Sequence, residues 1–207
     1  MRARPRKWPR PRALRCAFAR DIIAAAMPTT REALETTIAL EKQSMSLYAL
    51  LAKIFAGDAR LRDFWFGMAR DEARHVGALD LVSTVLEIDG KLDAPSPISL
   101  EDSSILKLRA MLERFNREAG PGLKIQRALA MALEVEETEL EDLVANLLKA
   151  VQAPDEYERC LRLLVHDLGE LGFMIERYCA DVGLLSRCDA LCNRHAEALR
   201  TSASGGR

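Results

Sequence analysis

Glu72-Ala73-Arg74-His75 sets a carboxylate and an imidazole three positions apart in a strongly helical stretch. Residues three apart on a helix project from one face, so this pair can hold a single metal ion together. Such pairs arise readily by chance, and their companions decide what they mean. Glu41 lies on an apolar stripe one helix earlier, and a degraded copy of the whole pattern recurs 95 positions downstream. That one shift superimposes Glu41 on Glu136, Glu72 on Asp167 and His75 on Glu170, and carries Leu34, Ile38, Met45, Met68 and Leu79 onto Leu129, Leu133, Leu140, Leu163 and Met174.

The acids lie in phase with residues that must face a core. Burying an unpaired carboxylate costs several kcal/mol or forces it to take up a proton, and metal coordination removes that cost. Five carboxylates, Glu41, Glu72, Glu136, Asp167 and Glu170, with one imidazole, His75, would repel when empty and be nearly neutralised by two divalent cations. In this reading Glu41, Glu72 and His75 hold one cation while Glu136, Asp167 and Glu170 hold the other, with Glu72 and Glu136 as bridges. Glu139, three residues after Glu136, is an additional candidate at the edge of the stripe, whereas Glu134, Glu137 and Glu141 fall on a solvated face. His166 is one helical step from Asp167 and is therefore expected on a different face. Oxygen ligands with a histidine suit iron, or manganese in its place, better than the thiolate-rich sets of structural zinc.

Four long amphipathic helices must position these groups. The periodicity predicts helices over about Thr30 to Phe55, Leu61 to Ile88, Leu123 to Val151 and Glu156 to Val182, with the Gly- and Pro-containing "DGKLDAPSP" closing the second. A further amphipathic segment, 98–118, carries no metal-type residues and reads as part of a long crossover between two hairpins. Strand signals are lacking, so the expected fold is all-α. The expected domain pattern is a basic leader over 1–28 that does not pack, a four-helix bundle over 29–184, and a short terminal helix with a disordered tail over 185–207. Cys188, Cys192 and His195 in that terminal helix are read as packing residues, and Tyr48 and Trp65 as core.

The chain has 207 residues, is 49% apolar and is 29% charged, enough for one core built of amphipathic helices. Residues 1–26 carry eight Arg or Lys against one acid, leaving the rest about eight units negative and without a basic face for nucleic acid. Met27, followed by the helix-start signal "PTTREALE", is an alternative initiator; an unstructured arm or a targeting peptide are the other readings of the leader. No apolar run approaches the roughly 18 to 20 residues that span a bilayer. Five scattered cysteines do not form a secreted disulfide framework, and a reducing cytoplasm is the expected setting.

"ALEKQSMSLY" around Glu41, "MARDEARH" ending in Glu72 and His75, "MALEVEETEL" around Glu136 and "LVHDLGEL" around Asp167 and Glu170 together resemble the ferritin-like di-iron carboxylate superfamily, and within it rubrerythrin-like domains. The resemblance covers about residues 30 to 182. It implies a ferritin-like four-helix bundle with two irons that react with hydrogen peroxide or dioxygen, or oxidise ferrous iron, and a bundle that often pairs as a homodimer. It also implies Glu139 as an extra ligand by its spacing. The chain departs from the pattern where the second Glu-x-x-His has become Asp167-x-x-Glu170. A rubredoxin-type Cys-x-x-Cys pair is also missing, so the implied electron donor is a separate partner and the oxidant a small molecule. The competing expectation is a non-catalytic bundle that binds or senses metal, or docks a partner, with a degenerate second site.

Overall fold

The structure, a computed structural model, describes residues 27–96, 98–101, 103–138 and 154–205. Among the described residues it contains six helices and no strand: α1 (Thr30–Ile54), α2 (Ala59–Ile88), α3 (Ser103–Glu118), α4 (Ile125–Glu136), α5 (Pro154–Tyr178) and α6 (Val182–Gly205). The all-α expectation therefore holds. The basic leader over 1–26, Glu139 and the second half of the expected third core helix lie outside the described residues.

The first hairpin is fixed at both ends by side-chain caps. Thr29 and Glu32 form a reciprocal capping box at the start of α1. Asp58 accepts from Arg60 N and Leu61 N, beginning α2 after a short turn. α2 stops at Asp89-Gly90, where Gly90 takes the left-handed φ of 66° that favours glycine. The chain then returns beneath the start of α1. Thr30 N donates to Ala94 O and Arg31 N to Leu92 O, which satisfies helix-terminal amides that would otherwise lack partners.

α3 lays Ile105, Leu108, Leu112 and Phe115, a single helical stripe, into the core. It packs against α1 and α4, the role expected of a crossover helix. α5 packs against α2, α4 and α6, and one continuous apolar cluster joins all six helices. Arg127 ties α4 to α3 through Glu118 and also holds Glu134. Arg187 of α6 holds Glu137. Glu134 and Glu137 are thus occupied by arginines, as the solvated face of that helix required.

The C-terminal region differs from expectation. α5 ends at Tyr178, four residues before Val182, and the terminal helix is not short: α6 runs 24 residues, through Gly205, into the segment expected to be disordered. The break lies at Ala180, which has φ 50°. A Cβ in that left-handed region costs roughly 1–2 kcal/mol. Ala180→Gly is accordingly expected to raise the denaturation free energy by about 1 kcal/mol; an unchanged or lowered midpoint in a urea titration would contradict this. α6 docks along α5 with Cys188 fully buried, its thiol donating to Leu168 O at 3.3 Å, and with the Cys192 thiol 3.8 Å from Val165 O. These two cysteines pack and donate to backbone carbonyls, consistent with a packing role.

Candidate metal centre

Two groups of ligand-type side chains emerge, each drawn from two helices. The first is Glu41 from α1 with Glu72 and His75 from α2, whose donor atoms lie within 4.8 Å of one another. All three are buried, Glu41 completely. His75 Nδ1 is 3.5 Å from Glu72 Oε2 and 3.8 Å from Glu41 Oε2, close enough for shared coordination and too long for hydrogen bonds. Neither oxygen of Glu41, nor Oε2 of Glu72, has a hydrogen-bond partner among the described residues. Three carboxylate oxygens in such a position would be expensive to keep unsatisfied, and a cation between them satisfies all three. The residues therefore fit a metal ion.

Burial and the neighbouring charges pull the two carboxyls apart in their titration. Burial, and then the charge of Glu41, push Glu72 well above the ordinary carboxyl range. Burial alone would raise Glu41 too, but His75 and Glu72 beside it hold it below the ordinary range. The two carboxyls are thus driven in opposite directions, Glu72 up and Glu41 down.

Glu136, at the C-terminal end of α4, faces the same centre. It accepts a hydrogen bond from Tyr48 Oη at 2.6 Å. Burial raises its pKa, the Tyr48 hydroxyl opposes that rise, and the charges of His75 and Glu41 both act on it. Tyr48 is held well above its usual range by burial and then by Glu136 and Glu72. Trp65 stacks on Tyr48 with centroids 6.1 Å apart, closing the apolar side of the centre. Tyr48 was legible in sequence only as a core residue, because its partner lies on another helix. Tyr48→Phe removes the donor and leaves a buried carboxylate oxygen unsatisfied, so a loss of about 1–3 kcal/mol is expected in chemical denaturation of the metal-free protein. A neutral result would show that Glu136 finds another donor.

The second group joins Asp71 from α2 with His166 and Asp167 from α5, again within 4.8 Å. Asp71 and Asp167 are buried and His166 is exposed. Burial and the charge of Asp71 lift Asp167 to about 7. His166 Nδ1 lies 3.2 Å from Asp167 Oδ1, and Asp167 raises its pKa. Arg74 pairs with Asp71 from the next turn of α2.

This group corrects the expected ligand set at two points. Glu170 is not among the buried acids: its side chain is 53% exposed, and its Oε1 stands 3.8 Å from His166 Nε2. His166 lies on a different face, as expected, exposed where Asp167 is buried, yet its Nδ1 reaches Asp167 Oδ1 at 3.2 Å. Asp167 is buried as expected, but it associates with Asp71 and His166 rather than with Glu170. The 95-residue repeat contained a signal for this, since it superimposes Asp71 on His166 as well as Glu72 on Asp167.

A cleft of about 680 Å³ opens beside the second group, lined among others by Arg70, Arg74, Arg159, Arg162 and His166. No helix among the described residues is long and apolar enough to cross a membrane. No protein-family model, curated protein or solved structure matches the chain.

Proposed function

We propose that the protein is a metal-dependent oxidoreductase of the ferritin-like, rubrerythrin-related kind, using iron, or manganese in its place, to reduce peroxide or dioxygen or to oxidise ferrous iron. The observation that carries this reading is Glu41, fully buried on α1 beside Glu72 and His75 with neither oxygen hydrogen-bonded. His75 stands 3.8 Å from Glu41 Oε2, too far to satisfy it by a hydrogen bond, and a cation between the two would supply the missing contacts. Glu41, Glu72 and His75 would hold it, with Glu136 adding a carboxylate from the opposite hairpin. When bound, a redox-active cation supplies electrons that the protein's own side chains cannot.

The chain's residues set the conditions for that chemistry. The Tyr48 hydroxyl fixes one oxygen of Glu136, which orients the carboxylate and leaves its other oxygen available. Burial and the charge of Glu41 favour the protonated form of Glu72, which a bound cation would oppose, since ligands coordinate in the deprotonated form. Trp65, Met68, Leu79 and Leu133 are buried in the apolar core of the helices that carry the ligands, and the ligands are buried with them, away from bulk water. Electrons returning to the site come from a separate donor, since the sequence has no Cys-x-x-Cys pair.

A second reading is favoured by the exposure of Glu170. With that expected ligand turned outward, the bundle would bind metal for storage or sensing without turnover. Elemental analysis of protein from iron-replete and manganese-replete cells, followed by stopped-flow oxidation of the ferrous-loaded protein with peroxide and with oxygen, separates the two. The oxidoreductase should oxidise bound ferrous iron faster than free ferrous iron in the same buffer. Loading without acceleration would leave only the second reading, and failure to retain any metal would refute both.

A further inference from the structure

We infer that Asp71, His166 and Asp167 form a second divalent-cation site at the α2–α5 interface, reachable from solvent and independent of the buried Glu41–Glu72–His75 cluster. Its donor set is two carboxylates and an imidazole from two helices, all with ligand atoms within 4.8 Å. His166 Nδ1 and Asp167 Oδ1 are hydrogen-bonded at 3.2 Å, and a cation on bonds of about 2.1 Å would hold the same two atoms roughly 3 Å apart with little movement. Mixed oxygen and nitrogen donors of this kind suit ferrous iron, manganese, cobalt or zinc.

The surroundings of His166 supply an independent indication. A metal-ligating histidine almost always offers its other ring nitrogen to a carboxylate or carbonyl, which fixes the tautomer. Here Nδ1 faces Asp167 while Nε2 faces Glu170 Oε1 at 3.8 Å, a gap that a small rotation of either side chain closes. Glu170, turned away from the buried acids, thereby becomes the positioning residue of this outer site.

Asp71, Asp167 and Glu170 place three carboxyl groups around His166; Arg74 pairs with Asp71 Oδ1, and Arg70, Arg159 and Arg162 line the adjoining cleft. A cation held here with open coordination positions would draw an anion or water from that arginine-lined cleft to complete its shell. The helices themselves provide the geometry. Asp71-Glu72 on α2 and His166-Asp167 on α5 are equivalent steps of the internal repeat, and each step sends one residue toward the other helix.

Equilibrium dialysis and visible absorption with cobalt(II) test this on the full chain in four forms: wild type, His166→Ala, Glu170→Gln and Glu41→Ala. His166 is exposed, so His166→Ala should fold normally, which circular dichroism verifies. Removing His166 should abolish one binding event or weaken it more than about 100-fold, and Glu170→Gln should weaken the same event about 10- to 100-fold. Glu41→Ala should leave that event in place. Binding that is unchanged in His166→Ala and Glu170→Gln but lost in Glu41→Ala would overturn the outer site and leave the buried one standing. Binding lost in His166→Ala but unaffected by Glu41→Ala would support the outer site and count against the buried one. No cobalt uptake by wild type would overturn both.

Discussion

Glu41→Leu should make the metal-free protein more stable and the metal-supplemented protein less so. In the absence of metal, Glu41 is a fully buried carboxylate with both oxygens unsatisfied, on a stripe otherwise made of Leu34, Ile38, Tyr48 and Leu51. Replacing buried charged groups with apolar residues of similar volume commonly stabilises by about 1–4 kcal/mol. With a cation present the sign reverses. Wild type gains about 4 kcal/mol at a free metal concentration 1,000 times its dissociation constant, and the variant forfeits the part of that gain that depends on Glu41. Thermal unfolding in chelator and in excess manganese should therefore give curves that cross between the two proteins. The double substitution Glu72→Ala, His75→Ala should lose metal in the same way. If Glu41→Leu destabilises the chain in chelator and still responds fully to metal, the buried cluster is structural and the proposed function fails with it.

A second large effect is the response of the metal-free protein to pH. Asp167 moves from 3.8 in the unfolded chain to about 7 in the folded one. The folded state therefore binds more protons between those values, and stability falls as pH rises through the window. The contribution is fully present below about 4 and lost above about 7. Glu72 and Glu136, both raised by burial, act in the same direction, and Glu41, held low by His75 and Glu72, acts against them. For Asp167 alone the effect is on the order of 2–4 kcal/mol. In chelator, the melting temperature should be higher at pH 5 than at pH 8, and Asp167→Asn should flatten much of that slope. Manganese should reverse the trend, because ligands must be deprotonated to bind. A flat profile in chelator would mean that these acids are solvated in the native state.

How much of the centre could be anticipated depended on which physical rule governed each residue. Glu41, Glu72 and His75 obey helical periodicity on one hairpin, and two helices joined by a short turn leave little freedom in how their stripes face each other. The placement of Glu136 followed from the same stripe logic, since Leu129 and Leu133 fix which side of α4 turns inward. Glu170 failed because the repeat supplies register along a helix and does not fix the rotation of α5 about its own axis. That rotation is set by simultaneous packing against α2, α4 and α6, and the length of α6 was not anticipated.

The sequence by itself determined an all-helical chain whose buried stripes carry acids, because a 3.6-residue period and the cost of burying charge are local properties. Only the tertiary structure decided which acids meet. Asp167 lies with Asp71 and His166, Glu170 stands half in solvent, and the Tyr48 hydroxyl finds Glu136 across 88 positions of sequence. Each of those outcomes turns on a few ångströms of helix rotation and side-chain reach. Such distances arise from the balance of packing on every face of a helix, which no single segment encodes.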